Sequence, residues 1–110
     1  VKIAGQTGKL TAGGREVAEL GAYALVKQED AAWAIDASVI CYNSYWLEHA
    51  PELWLRVDVG QEEWLWRECT PTIDGGRLSA TVTGEPEKVR RNGKIEVRDA
   101  EYRKVGTVRR

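Results

Sequence analysis

Apolar and polar residues alternate along most of this chain, with the period of two that half-buried strands require. Leu53, Leu55, Val57 and Val59 share one face of a segment whose other face carries Trp54, Arg56 and Asp58. Leu78, Ala80 and Val82 oppose Arg77, Ser79, Thr81 and Thr83, and Ile95 and Val97 oppose Lys94, Glu96 and Arg98. Trp33, Ile35, Ala37, Val39 and Cys41 form another stripe, with Ala34, Asp36, Ser38, Ile40 and Tyr42 opposite. Alanines in that stretch would also suit a helix starting at Asp30, but the run Val39-Ile40-Cys41-Tyr42 is β-prone and favours a strand.

Turn signals punctuate these segments. Gly13-Gly14 separates Lys9–Ala12 from Arg15–Leu20 as a two-residue hairpin loop, since both positions can take positive φ. Gly60-Gln61, Asp74-Gly75-Gly76 and Asn92-Gly93 mark three further reversals. One helix is expected, Ser44–Ala50, capped by Asn43 or Ser44 and stopped by Pro51, because a residue before proline avoids the helical region. The pattern therefore predicts an all-β, antiparallel β-sandwich or small barrel of seven to nine strands with one short helix. Residues 1–84 form its body. Residues 85–110 form a basic C-terminal hairpin or arm, packed on the same single domain or on a neighbour.

Composition sharpens this picture. A chain of 110 residues closes one modest core. It has no phenylalanine but five tryptophans and four tyrosines, so bulky core volume must come from rings with a polar edge. Trp64 and Trp66 lie two apart and share a face, expected to be buried, with Leu65 on the more polar face beside Glu63 and Arg67. Trp54 lies opposite its aliphatic stripe and is expected to be partly exposed or covered by a neighbouring subunit. No apolar run approaches the ~20 residues of a membrane span, so no membrane partner is expected. The chain begins at Val1 and has no methionine, which suggests a processed or trimmed start.

The net charge of −1 hides an uneven distribution: residues 1–84 balance to −5 and residues 85–110 to +4. Interleaved Glu85, Glu87, Glu96, Asp99 and Glu101 argue against a dedicated nucleic-acid site, leaving charge pairing between copies as the better use of the basic segment.

Catalytic chemistry finds little purchase. Cys41 and Cys69 lack CxxC spacing and read as small core residues, able to bridge only if their strands are neighbours. His49 is the single histidine and fits a short helical turn. Glu62 and Glu63 point to opposite faces of a strand and so cannot flank one bond, and nothing in the sequence joins Asp36 to Asp58. Thr11–Gly14 lacks the lysine and following helix of a phosphate loop. The expectation is a non-enzymatic protein with no cofactor and no metal. Its interface candidates are Trp46, Trp54, Arg56, Arg90, Arg91, Lys94 and Arg98.

The stretch Gly8-Lys9-Leu10-Thr11-Ala12-Gly13-Gly14-Arg15-Glu16-Val17-Ala18-Glu19-Leu20, followed by Tyr23-Ala24-Leu25, resembles the opening hairpin of tail-tube-type proteins of long-tailed bacteriophages. Ile35-Asp36-Ala37-Ser38 is similar to the short step that tends to follow, and Trp64–Thr70 with Leu78–Gly84 resemble the closing strands. The likeness covers about half of the chain. It implies a β-sandwich subunit, without cofactor or catalysis, that assembles in a virion made in the host cytoplasm with copies of itself and other virion proteins. The short loop from Gln28 to Ala31, the short middle helix and the basic tail depart from the pattern, and leave head–tail joining, tail-completion and other minor virion roles open. Two other readings stand beside this one. The chain could be a small binding module stacking carbohydrate on Trp54, Trp64 or Trp66, or a small enzyme acting through carboxylates.

Overall fold

The computed structural model describes residues 1–90. The Asn92-Gly93 hairpin, with Arg91, Lys94 and Arg98, lies outside the described residues. The fold is antiparallel all-β with one short helix, as the alternation predicts. In chain order the elements are β1 (Lys2–Gly5), β2 (Gly8–Ala12), β3 (Arg15–Lys27), β4 (Ala32–Tyr42), α1 (Ser44–His49), β5 (Trp54–Val59), β6 (Glu62–Trp66), β7 (Thr72–Asp74), β8 (Arg77–Thr83) and β9 (Glu87–Arg90). They form one sheet in the order β7-β8-β4-β3-β2-β5-β6-β9, and β1 pairs with the far half of β3 beyond β2.

This sheet is rolled back on itself. Trp33 of β4 and Trp64 and Trp66 of β6 lie four strands apart in the ladder, a path of roughly 19 Å at the usual strand spacing. Yet the Trp33 ring sits only 5.7 Å from that of Trp64 and 6.2 Å from that of Trp66. The inner faces of β4–β8 and β5–β6 therefore pack against each other as in a sandwich. Leu55, Val57, Leu78 and Val82 are buried together there with Leu10, Leu20, Leu25 and Ile35, while Ala80 packs at the margin.

Three irregularities allow the roll. Val17 is an extra residue against β2, an extra residue lies between Leu20 and Tyr23 against β4, and Ile40 is extra on β4 itself. Such bulges bend a strand and increase its twist. The bulge at Ile40 also corrects one expectation. The stripe begun by Trp33, Ile35 and Ala37 does not continue inward to Cys41, which is exposed, with its thiol 3.7 Å from Glu19 Oε1. Cys69 is buried as expected, and both thiols are free. Leu65, on the more polar face of β6, is nevertheless buried, at 6% exposure. The register sets it between Arg56 and Glu87.

Helix α1 follows the capping logic. Asn43 Oδ1 accepts from the Trp46 amide at 3.1 Å, and the helix ends at His49, just before Ala50-Pro51. Among the described residues, no helix is long and apolar enough to cross a membrane.

Two backbone features pin the layers. Gly5 faces Tyr23 across β1–β3, and a Cβ on Gly5 would lie 2.6 Å from the Tyr23 ring. Only glycine lets that ring cross the strand, and the Tyr23 hydroxyl then donates to the Asp58 carbonyl at the end of β5. Burial, followed by the nearby Asp58, raises the phenol's pKa, so the hydroxyl remains a donor. At the β3–β4 reversal, Asp30 and Ala31 both adopt left-handed conformations, with φ of 60° and 55°. Asp tolerates this region; alanine does not.

Two outcomes are expected. Val82→Asp places an unpaired carboxylate where exposure is 1% and should cost more than about 4 kcal/mol, so the variant should show no cooperative melt. A soluble, cooperatively melting Val82→Asp protein would show that this face is not the core. Ala31→Gly should raise the denaturation midpoint, because relief of the left-handed strain, about 1–2 kcal/mol, outweighs the added freedom of the unfolded chain.

Candidate functional site

The expected interface residues occupy three separate surfaces. Trp54 and Arg56 project from the outer face of β5, Trp46 lies on α1, and Arg90 ends β9 opposite Glu62. The structure brings Trp54 and Arg56 together but leaves Trp46 and Arg90 elsewhere.

On the outer face of β5, β6 and β9, Trp54 is half-buried beneath guanidinium groups. Arg67 lies 4.4 Å from its ring centroid and Arg56 5.6 Å, both within cation–π range. Trp54 Nε1 donates to Glu52 at 3.0 Å. Arg56 Nη1 meets Glu63 at 3.1 Å and its Nε reaches Thr11 Oγ1 at 3.3 Å, so this arginine links β2, β5 and β6. Arg67 grips Glu87 of β9 through two nitrogens. That hydrogen bonding, backed by the guanidinium's charge, holds the Glu87 carboxyl below its usual range against a smaller desolvation cost. Arg67 was absent from the expected interface. Its position follows from the hairpin register: Leu55 faces Trp66, so the next step outward sets Arg67 beside Trp54.

Cations also sit over other indoles. Lys27 lies over Trp33, Lys88 over Trp64 and Arg15 over Trp46. Trp64 and Trp66 are buried, and Trp66 Nε1 donates to the Gly84 carbonyl at 2.9 Å. Lys27 bonds Glu85 at 2.5 Å, which lowers the Glu85 pKa, with hydrogen bonding the first cause. The described part of the expected arm is thus the outermost strand of this chain's own sheet, with Glu85, Glu87 and Lys88 tied to it. Stability contributed by the depressed Glu85 and Glu87 carboxyls is present above the ordinary carboxylate range and fades as pH falls through their lowered pKa values.

Two of the open surfaces among the described residues carry apolar or nucleophilic groups. At the end of β4, Ile40, Tyr42 and Tyr45 are 61%, 51% and 60% exposed, half of the six exposed large apolar side chains among the described residues. The β8 pairing ends at Ser38, so no described strand flanks Ile40–Tyr42 on that side. The second is a cleft of about 550 Å³ between α1, the β6–β7 connection and β8, lined by Leu47, Leu53, Glu52, Glu68, Cys69 and Thr81 among others. Burial pushes the Cys69 thiol up to about 12, so at neutral pH it is protonated and a poor nucleophile.

Thiol labelling checks these placements. At neutral pH an aromatic disulfide reagent should titrate Cys41 at once and Cys69 only after unfolding. Cys41→Ser should abolish the fast phase; fast labelling that persists would place Cys69 at the surface.

Comparison with protein-family models, curated proteins and solved structures finds no match for this chain.

Proposed function

We propose that this chain is a non-enzymatic structural subunit that associates with copies of itself and with neighbouring proteins of an assembled particle, of the phage tail or head–tail joining type. The supporting observation is the cluster of exposed Ile40, Tyr42 and Tyr45 beside an uncovered stretch of β4. Isolated sheets protect such edges with charges, prolines or covering loops. Apolar side chains on an uncovered edge instead favour pairing with another chain. The phage assignment rests on the resemblance of the opening hairpin and closing strands. A virion location follows from the same resemblance.

Carbohydrate stacking draws less support. Trp33, Trp64 and Trp66 are buried, Trp46 lies under Arg15, and Trp54 lies under Arg67. A sugar would have to displace a guanidinium or open the core to reach an indole face.

Light scattering across concentration tests the proposal. The full chain should form species heavier than its 12.3 kDa monomer. Tyr42→Lys with Ile40→Lys should shift assembly to higher concentration without lowering the melting temperature, because both residues are exposed. A monomer at every concentration and salt level would overturn the reading.

A further inference from the structure

The cleft beside β8 has the chemistry of a strand acceptor. Strand β7 pairs with β8 only along Arg77–Ser79, so the β8 edge from Ala80 to Thr83 has no described partner. The cleft flanks this edge at Thr81 and Thr83. Its opposite wall includes buried Leu53 and Cys69 and half-buried Leu47 within a lining that is otherwise mostly polar, and exposed Glu52 and Glu68 contribute negative charge. An added strand would find backbone groups on one side, apolar contacts below and carboxylates at the rim.

We infer that this cleft receives Lys94–Arg98 of a second copy of the chain; the inference rests on the self-association proposed above and names its surface. The segment reads Lys-Ile-Glu-Val-Arg, with Ile95 and Val97 on one face and a basic residue at each end. In strand addition, main-chain hydrogen bonds supply affinity and alternate side chains supply specificity. Here Ile95 and Val97 would meet the Leu47 and Leu53 side of the cleft, and Lys94 and Arg98 would meet Glu52 and Glu68. The charge balance supports the match at larger scale. Residues 1–90 carry nine Lys or Arg against fourteen Asp or Glu, whereas residues 91–110 carry seven against three. Opposite fields of this kind steer encounter and fix orientation.

Chain direction favours exchange between copies. β9 runs antiparallel to β6 and ends with Arg90 opposite Glu62, at the end of β6 away from Glu68. Glu62 and Glu68 are six positions apart, at most roughly 20 Å along a path that bends at Arg67. The link from Arg90 to Lys94 spans at most about 14 Å when fully extended. This short tether limits how Lys94–Arg98 can approach the chain's own cleft, whereas a second copy meets no such limit. Cleft and donor segment are different surfaces, so the exchange either closes reciprocally between two copies or continues into rings or open stacks.

Cross-linking between labelled copies tests this. In a Cys41→Ser background, chains carrying Thr83→Cys are mixed with chains carrying Val97→Cys and treated with a short bismaleimide. The expected product is a covalent dimer containing one chain of each kind. Glu52→Lys with Glu68→Lys should weaken association about tenfold, and so should Lys94→Glu with Arg98→Glu; mixing the two variants should restore it. If light scattering shows association but no mixed dimer forms and no charge swap rescues it, the cleft is not the acceptor, although self-association stands. An internal cross-link in a single chain carrying both cysteines, at a concentration where it is monomeric, would place the segment in its own cleft and overturn the inference. Absence of any association would remove the broader reading as well.

Discussion

Everything in this structure depends on one contact, the meeting of Trp33 with Trp64 and Trp66 across the rolled sheet. A nine-stranded sheet with one apolar face has to cover that face. With one short helix available, whose residues are all at least partly exposed, the sheet covers it with its own other half. Three indoles in mutual edge and tilted contact span the gap that smaller side chains would leave. The bulges on β3 and β4 and the Gly5–Tyr23 crossing all serve the curvature that brings these rings together.

Building a core from tryptophan in place of phenylalanine has a cost that the surface reveals. Each indole brings an N–H that needs an acceptor, which Glu62 supplies for Trp64 and Gly84 for Trp66. Indole faces near the rim attract cations, and Lys27 and Lys88 answer on the inner side while Arg67 answers on the outer. Several of these partners lie between Gly84 and Lys88. The segment after β8 is consequently fastened to the body through aromatic and ionic contacts even though every residue of β9 is exposed.

How far the sequence reveals this depends on which signals are local. Strand alternation and glycine turns act within a few residues, and they place β4, β5, β6, β8, the helix and the β2–β3 hairpin correctly. The bulges have no comparable signature. An inserted residue such as Ile40 looks like any other member of a β-prone run, so the reversal that exposes Cys41 cannot be read without the neighbouring strand. Leu65 shows the same limit: its burial depends on the strands that flank it in the sheet. Arg67 over Trp54 was accessible, because the turn at Gly60-Gln61 fixes the register of β5 and β6. Extending that register one step beyond Leu55 and Trp66 finds the pair.

The same reasoning separates surfaces that stabilise from surfaces left for other work. The five tryptophans are the most conspicuous residues in the sequence, and the fold buries them or covers them with cations. What remains uncovered is less conspicuous: stretches whose backbone has no described strand partner on one side, at Ile40–Tyr42 on β4 and Ala80–Thr83 on β8. A single sheet that rolls without closing necessarily ends in edges, and its hydrogen-bonding groups there must be satisfied by water or by another strand. Exposed apolar side chains lie at one such stretch and an acid-rimmed cleft at the other, which is the basis for proposing a second strand as partner. Under the proposed self-association, recognition would rest on the main chain and its register, with charge selecting which strand arrives.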